Sequence, residues 1–98
     1  MTVTKKLEGT KFTATIEGRM DTNTTPQAEK ELAGSLDNVK ELILDFKKLD
    51  YISSAGLRLL LMLQKKMNNQ GSMTIINAND MVKEIFEVTG FSDVLTVK

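Results

Sequence analysis

The chain has 98 residues, 41% hydrophobic and 27% charged, with thirteen Lys and Arg balancing thirteen Asp and Glu; this is the composition of one soluble domain spanning 1–98 with a single core. No block of like charge exceeds a pair such as Lys47-Lys48 or Lys65-Lys66, so the extended basic footprint of a protein that binds nucleic acid directly is missing. Zero cysteines and zero histidines exclude disulfides and thiolate metal sites and remove the commonest general base and transition-metal ligand.

Val3 to Leu7 and Phe12 to Glu17 read as an opening β-hairpin about Glu8-Gly9-Thr10-Lys11, the second segment alternating like a half-buried strand. Gly18-Arg19-Met20-Asp21-Thr22-Asn23-Thr24 has loop composition. Thr25-Pro26 then predicts a helix, with Thr25 as cap and Pro26 at the first helical position, continuing through Ala28, Leu32 and Leu36. Leu42 to Phe46 is an apolar run of strand length. A serine turn follows, then a helix from about Ala55 to Asn69, with Gly71 expected to end it in left-handed geometry.

Ser72 to Asn77 is a further strand candidate, and Asn79 is placed to cap a third helix carrying Met81, Val82, Ile85 and Phe86 on one stripe and closed by Gly90. Phe91 to Val97 fits a short helical turn, a final strand, or both. Alternating strands and helices favour a mixed sheet with helices packed on it, because parallel neighbours need crossover connections. Leu57, Leu60, Leu61 and Leu63, with Met62, Met67, Met73 and Met81, are expected to serve mainly as core. No apolar run approaches the roughly 18 residues needed to cross a bilayer, and the amino terminus has no apolar signal segment, so a cytoplasmic protein without membrane insertion is expected.

The most informative stretch is Asp50-Tyr51-Ile52-Ser53-Ser54-Ala55-Gly56-Leu57, which sets adjacent serines between a strand pattern and a leucine-rich helix pattern. A hydroxyl there can accept from free N–H groups of the first helical turn, and Ala55 and Gly56 add little bulk around it. One reading is an ordinary helix cap; the other is a hydroxyl that a kinase can reach. A phosphate at this position would be favoured by the partial positive charge of the helix N-terminus. Independent catalysis is not expected: there is no histidine to activate a serine, no Gly-x-Ser-x-Gly or Ser-x-x-Lys spacing, and no Gly-x-x-x-x-Gly-Lys-Ser/Thr loop for a nucleotide. Asp45, Asp50 and Asp80 have no metal-ligand spacing and read as turn or cap residues, so neither metal nor cofactor is expected.

The serine string resembles the signature of the STAS family, the anti-sigma factor antagonists of bacteria, in which the segment reads approximately Asp-Ser-Ser-Gly-Leu or Ser-Ser-Ala-Gly-Leu after a strand. Aligning Gly56 and Leu57 with that signature makes Ser54 the match to the phosphorylated serine, with Ser53, where many members carry aspartate, as the alternative acceptor. The order of elements is similar to the STAS fold over nearly the whole chain, implying an α/β mixed sheet of four to five strands with three to four helices. Gly18 to Thr24 resembles the family's Gly-Glu-Leu-Asp loop, with Asp21 as the matching residue. The resemblance implies a partner surface of Asp21, Thr22, Asn23, Thr24, Ser53, Ala55 and Gly56, to which adjacency to Ser54 adds Arg58 and Met62. It also implies an anti-sigma factor serine kinase and a serine phosphatase as partners, in a partner switch that regulates sigma-factor-dependent transcription. The alternative is a stand-alone structural subunit of an ABC-type lipid transport complex, where Ser54 would be an interface contact without phosphate.

Overall fold

In the computed structural model, which describes residues Met1–Lys98, β1 (Thr2–Glu8) and β2 (Lys11–Met20) form the expected hairpin. Their antiparallel register runs from Thr2 opposite Glu17 to Glu8 opposite Lys11. Along β2, Phe12, Ala14 and Ile16 are buried while Thr13 and Thr15 are half-buried, so one face of the strand meets the core. α1 (Thr25–Ala33) crosses to β3 (Glu41–Asp45), which lies parallel to β2 with Phe12 opposite Leu42 and Ala14 opposite Leu44. β4 (Leu49–Ile52) pairs parallel with the end of β2, and α2 (Ser54–Asn68) then leads to β5 (Ser72–Ile76), parallel to β3. α3 (Asp80–Val88) and a 3-10 turn at Phe91–Asp93 follow.

The five-stranded sheet runs in the order β1-β2-β3-β5, with β4 paired to β2 off that path. A cluster of 24 buried apolar side chains fills the space between sheet and helices. Leu57, Leu60 and Leu63 of α2 belong to it, as do Ala28 and Leu32 of α1 and Val82 and Phe86 of α3. Spacings of three and four residues on each helix therefore supply the apolar stripe that covers the sheet.

Several local expectations are revised. The segment from Leu49 to Ile52 is a strand, and β2 runs on to Met20, so Gly18-Arg19-Met20 is strand instead of loop. Thr24, not Thr25, holds the cap position of α1, while Thr25 is the first helical residue and is buried; Pro26 keeps its place in the first turn. α1 ends at Ala33, and Leu36 joins the core from the turn beyond it. Gly71 is not left-handed: α2 ends on right-handed Asn69, and Gly71 is small because a Cβ there would collide with the carbonyl oxygen of Lys40. That same oxygen accepts the Ser72 N–H at 2.9 Å.

Met67 and Met73 are core, but Met62 and Met81 are exposed, and Leu61 and Ile85 are only half-buried. Asn79 caps α3 as expected, its side chain accepting from Val82 N at 2.8 Å. Gly90 closes that helix with φ 79°. Beyond it the chain makes both the short helical turn and a strand-like contact, Val97 bridging Ile75.

Candidate functional site

The end of β2 and the whole of β4 decide where the site lies. Arg19 pairs with Tyr51 and Met20 with Ile52, after a register shift at Gly18, whose φ of 101° suits a bulge that a side chain would strain. The ladder continues past β4, with Ser53 N donating to Met20 O at 2.8 Å. Two parallel strands thus end together, and the loops that leave them lie side by side at the carboxyl edge of the sheet, where open α/β sheets present their binding crevices.

The loop after β2 is held by its own side chains. Asp21 Oδ1 accepts from Asn23 N at 2.9 Å and from Thr24 N at 3.0 Å, and Asp21 O accepts from Thr25 N at 2.9 Å, which joins the loop to α1. The Thr24 hydroxyl donates to Arg19 O at 2.6 Å and accepts from Asp21 N at 2.9 Å, so it braces the loop instead of capping the helix. The Thr24 N–H, first among these contacts, holds the Asp21 carboxyl below its ordinary value; Asn23 N–H, the Thr24 hydroxyl and the Arg19 guanidinium act in the same direction against desolvation. Arg19 lies 3.7 Å from Asp21 Oδ2 and 4.6 Å over the Tyr51 ring, tying this loop to β4.

At the other loop, Ser53 takes the cap position in extended conformation, and Ser54 is the first residue of α2. This corrects the expectation that a serine oxygen caps the helix: the Ser53 side chain makes no cap bond, and its Oγ is buried without a partner. Ser54 is exposed. The first turn of α2 carries no acidic residue, so its free N–H groups and partial positive charge are not neutralised by the chain itself.

Gly56 lies beneath this turn, fully packed: a Cβ added there would stand 2.6 Å from Ile52 Cγ1 and 3.1 Å from Met20 Cβ. Glycine therefore lets α2 approach the ends of both strands closely. Its part in the site is packing, since it is buried.

Between the helices runs a surface groove of about 460 Å³. Thr22, Thr25, Pro26 and Glu29 line one wall, and Ala55, Arg58, Leu59 and Met62 the other. Of the residues singled out from sequence, Thr22, Ala55, Arg58 and Met62 meet in this groove, with Ser54 next to Ala55 on the exposed side of α2. Asp21, Asn23 and Thr24 form the loop that carries Thr22, and Ser53 lies half-buried at the hinge between β4 and α2. Sequence reasoning missed Glu29 and Leu59, whose helical spacing from Thr25 and Ala55 was the available signal, and Arg19 and Tyr51, which pair only because β4 exists. No group of three or more His, Cys, Asp or Glu residues converges on a metal position.

The class so defined is a small open-sheet α/β domain with a polar-rimmed groove at the carboxyl ends of parallel strands. The family profile for the STAS domain matches residues 2–98, and the chain belongs to the STAS domain family. Among similar proteins, BtrV of Bordetella bronchiseptica, named as an anti-sigma factor antagonist, is 36% identical over 86 residues, spanning 86% of this chain and 74% of BtrV. An anti-sigma factor antagonist from Mycobacterium paratuberculosis shares the fold with a TM-score of 0.87 at 18% identity, over 98% of this chain and 83% of that one. The Bacillus protein SpoIIAA does so at 0.84 in its unphosphorylated form, at 16% identity over 99% of this chain and 88% of that one. Its phosphorylated form gives 0.77, at 15% identity over 99% and 91%.

Proposed function

We propose that this protein is an anti-sigma factor antagonist that works by partner switching in the cytoplasm and has no catalytic activity of its own. Unphosphorylated, it binds an anti-sigma factor that is also a serine kinase, and sigma factor is thereby freed for transcription. The Asp21 loop, the first turn of α2 and the groove they border form the contact surface. The observation that carries this reading is the exposed Ser54 hydroxyl at the uncapped N-terminus of α2, one residue from the groove.

In the kinase complex, Ser54 Oγ attacks the γ-phosphorus of ATP, an O–P bond forms as the bond to ADP breaks, and the hydroxyl proton leaves to a base supplied by the kinase. The helix terminus tolerates the product, because its N–H groups and dipole favour negative charge. The interface does not tolerate it. A phosphoserine adds about −1.5 to −2 charges at neutral pH, and a loss of about 2.8 kcal/mol weakens binding roughly a hundredfold, within the range of one misplaced interface charge. A serine phosphatase, by attack of water on phosphorus, restores the hydroxyl and releases inorganic phosphate.

The test is affinity capture from native cytoplasm with wild type, Ser54→Ala and Ser54→Asp, read by mass spectrometry for partners and modified sites. A serine kinase recovered by wild type and Ala but not by Asp, with phosphate on Ser54, is the expected result. Phosphate confined to Ser53 refutes the choice of acceptor, and recovery of an ABC-type transporter insensitive to both replacements refutes the switch.

A further inference from the structure

We infer that Arg58 is the internal receptor for the Ser54 phosphate, an intrahelical clamp that takes the guanidinium out of the groove when the protein is phosphorylated. The inference rests on Ser54 being the modified residue. Both residues are exposed on α2, four positions apart, Ser54 on its first turn and Arg58 on the next. Side chains so spaced lie on one helix face with Cβ atoms about 6 Å apart, and the anion N-terminal to the cation is the favourable order. Helical side chains also lean back toward the N-terminus, which directs Arg58 over the turn that holds Ser54.

Arg58 is free for this. The ion pairs of the molecule are Lys5–Glu31, Lys6–Glu8, Arg19–Asp21 and Lys48–Glu17, and Arg58 is in none of them. Arg19, at the end of the paired strand β2, is already engaged by the Asp21 carboxylate and the Tyr51 ring. Lys65 and Lys66 lie in the last turn of α2, at the opposite end of the helix. In the unphosphorylated protein Arg58 forms part of the groove wall across from Glu29. A guanidinium binds a phosphate in bidentate fashion, and a charge-assisted pair of that kind is about twice as strong as a neutral hydrogen bond. One side chain cannot fill both places. Phosphorylation therefore changes the groove in two ways, by adding an anion at its mouth and by removing a cation from its wall, where Glu29 is left without a facing positive charge.

The experiment uses full-length protein with phosphoserine introduced at position 54 during synthesis, as wild type, Arg58→Gln and Arg58→Lys. Phosphorus NMR follows the second ionisation of the phosphate, and nitrogen NMR follows the Arg58 side-chain N–H. The charged groups around this turn are Arg58, Glu29 on α1, Asp50 on β4 and the Arg19–Asp21 pair at the end of β2, and all but Arg58 are constant across the series. The expected result is a phosphate pKa about 0.15–0.4 unit lower with Arg58 than with Gln, Lys falling between, and the difference shrinking in about 1 M salt. The Arg58 N–H resonance moves on phosphorylation. Equal titration of wild type and Arg58→Gln, or an unmoved Arg58 resonance, overturns the clamp. Mapping phosphate placed by the native kinase tests the underlying assignment separately: phosphate on Ser53 removes the functional setting without altering the titration of the Ser54-phosphorylated protein.

Discussion

Replacing Gly56 with Ala separates the packing role of this glycine from any role in recognition. The added methyl would stand 2.6 Å from Ile52 Cγ1, 3.1 Å from Ile52 Cδ1 and 3.1 Å from Met20 Cβ. Both neighbours are fully buried, Ile52 at 1% exposure and Met20 at 0%, so neither can swing into solvent. Overpacking costs about 1–3 kcal/mol, and a 2.6 Å contact with the stem of a fully buried β-branched side chain places this case in the upper part of that range, about 2–3 kcal/mol, while Gly to Ala in a helix returns at most about 0.8–1.0 kcal/mol. The net expectation is a loss of roughly 1–2 kcal/mol, or a fall in melting temperature of about 4–16 °C for a chain of this size. The assay is denaturant and thermal unfolding of Gly56→Ala, Ile52→Ala and the double variant. Since the closest clash is with Ile52, the cost of Gly56→Ala is expected to fall by more than half in the Ile52→Ala background. A Gly56→Ala protein as stable as wild type, or additive costs in the double variant, would refute the claim that close approach of α2 to β4 requires glycine.

Gly71→Ala is expected to cost more than Gly56→Ala by denaturant unfolding, because its methyl meets the Lys40 carbonyl, a backbone atom held at the start of the β3–β5 pairing by the Ser72 N–H. Asn79→Ala removes a side chain that caps Val82 N at 2.8 Å and donates to Leu49 O at 3.1 Å, with an expected loss of about 1–2 kcal/mol in the same assay. Ser54→Ala stays within about 0.5 kcal/mol of wild type, since the hydroxyl is exposed and caps nothing. Asp21 has a native pKa below its ordinary 3.8, so its contribution is present in full above that value and is lost as pH falls through the lower native pKa. Asp21→Asn accordingly flattens the acid limb of an unfolding titration below about pH 4, and an unchanged limb counts against the carboxylate.

Much of the fold was legible because burial and period coincide. Phe12, Ala14 and Ile16 alternate with threonines on a strand that is half-buried, and Leu57, Leu60 and Leu63 recur on a helix that covers a sheet. β4 was not legible: its four residues include one apolar side chain at each end, Leu49 and Ile52, and a charge at Asp50, too short a pattern to distinguish from a turn. The strand exists because the last residues of β2 offer it a parallel partner, which is a tertiary fact. The same reason hid half of the groove. Of its lining, Thr22 and Ala55 were singled out through the resemblance of their strings and Arg58 and Met62 through nearness to Ser54, but Glu29 and Leu59 enter only because α1 lies beside α2. Thr24 and Thr25 were assigned one position apart from their roles because Thr24 turns its hydroxyl back to Arg19 O, an option that competes with capping and leaves no trace in local sequence.

The pairing of β2 with β4 also makes the proposed contact surface a conformational epitope. Asp21 and Ser54 are far apart along the chain and become neighbours only when Met20 and Ile52 are in register and Ser53 N reaches Met20 O. Closing so long a loop is entropically costly and happens only as the sheet forms. A partner that reads both loops therefore ignores nascent, unfolded or proteolysed chains, including any peptide that carries the serine string alone. In the proposed switch the quantity sensed is the concentration of folded protein, so the stability of the domain and the strength of that signal would be set by the same contacts.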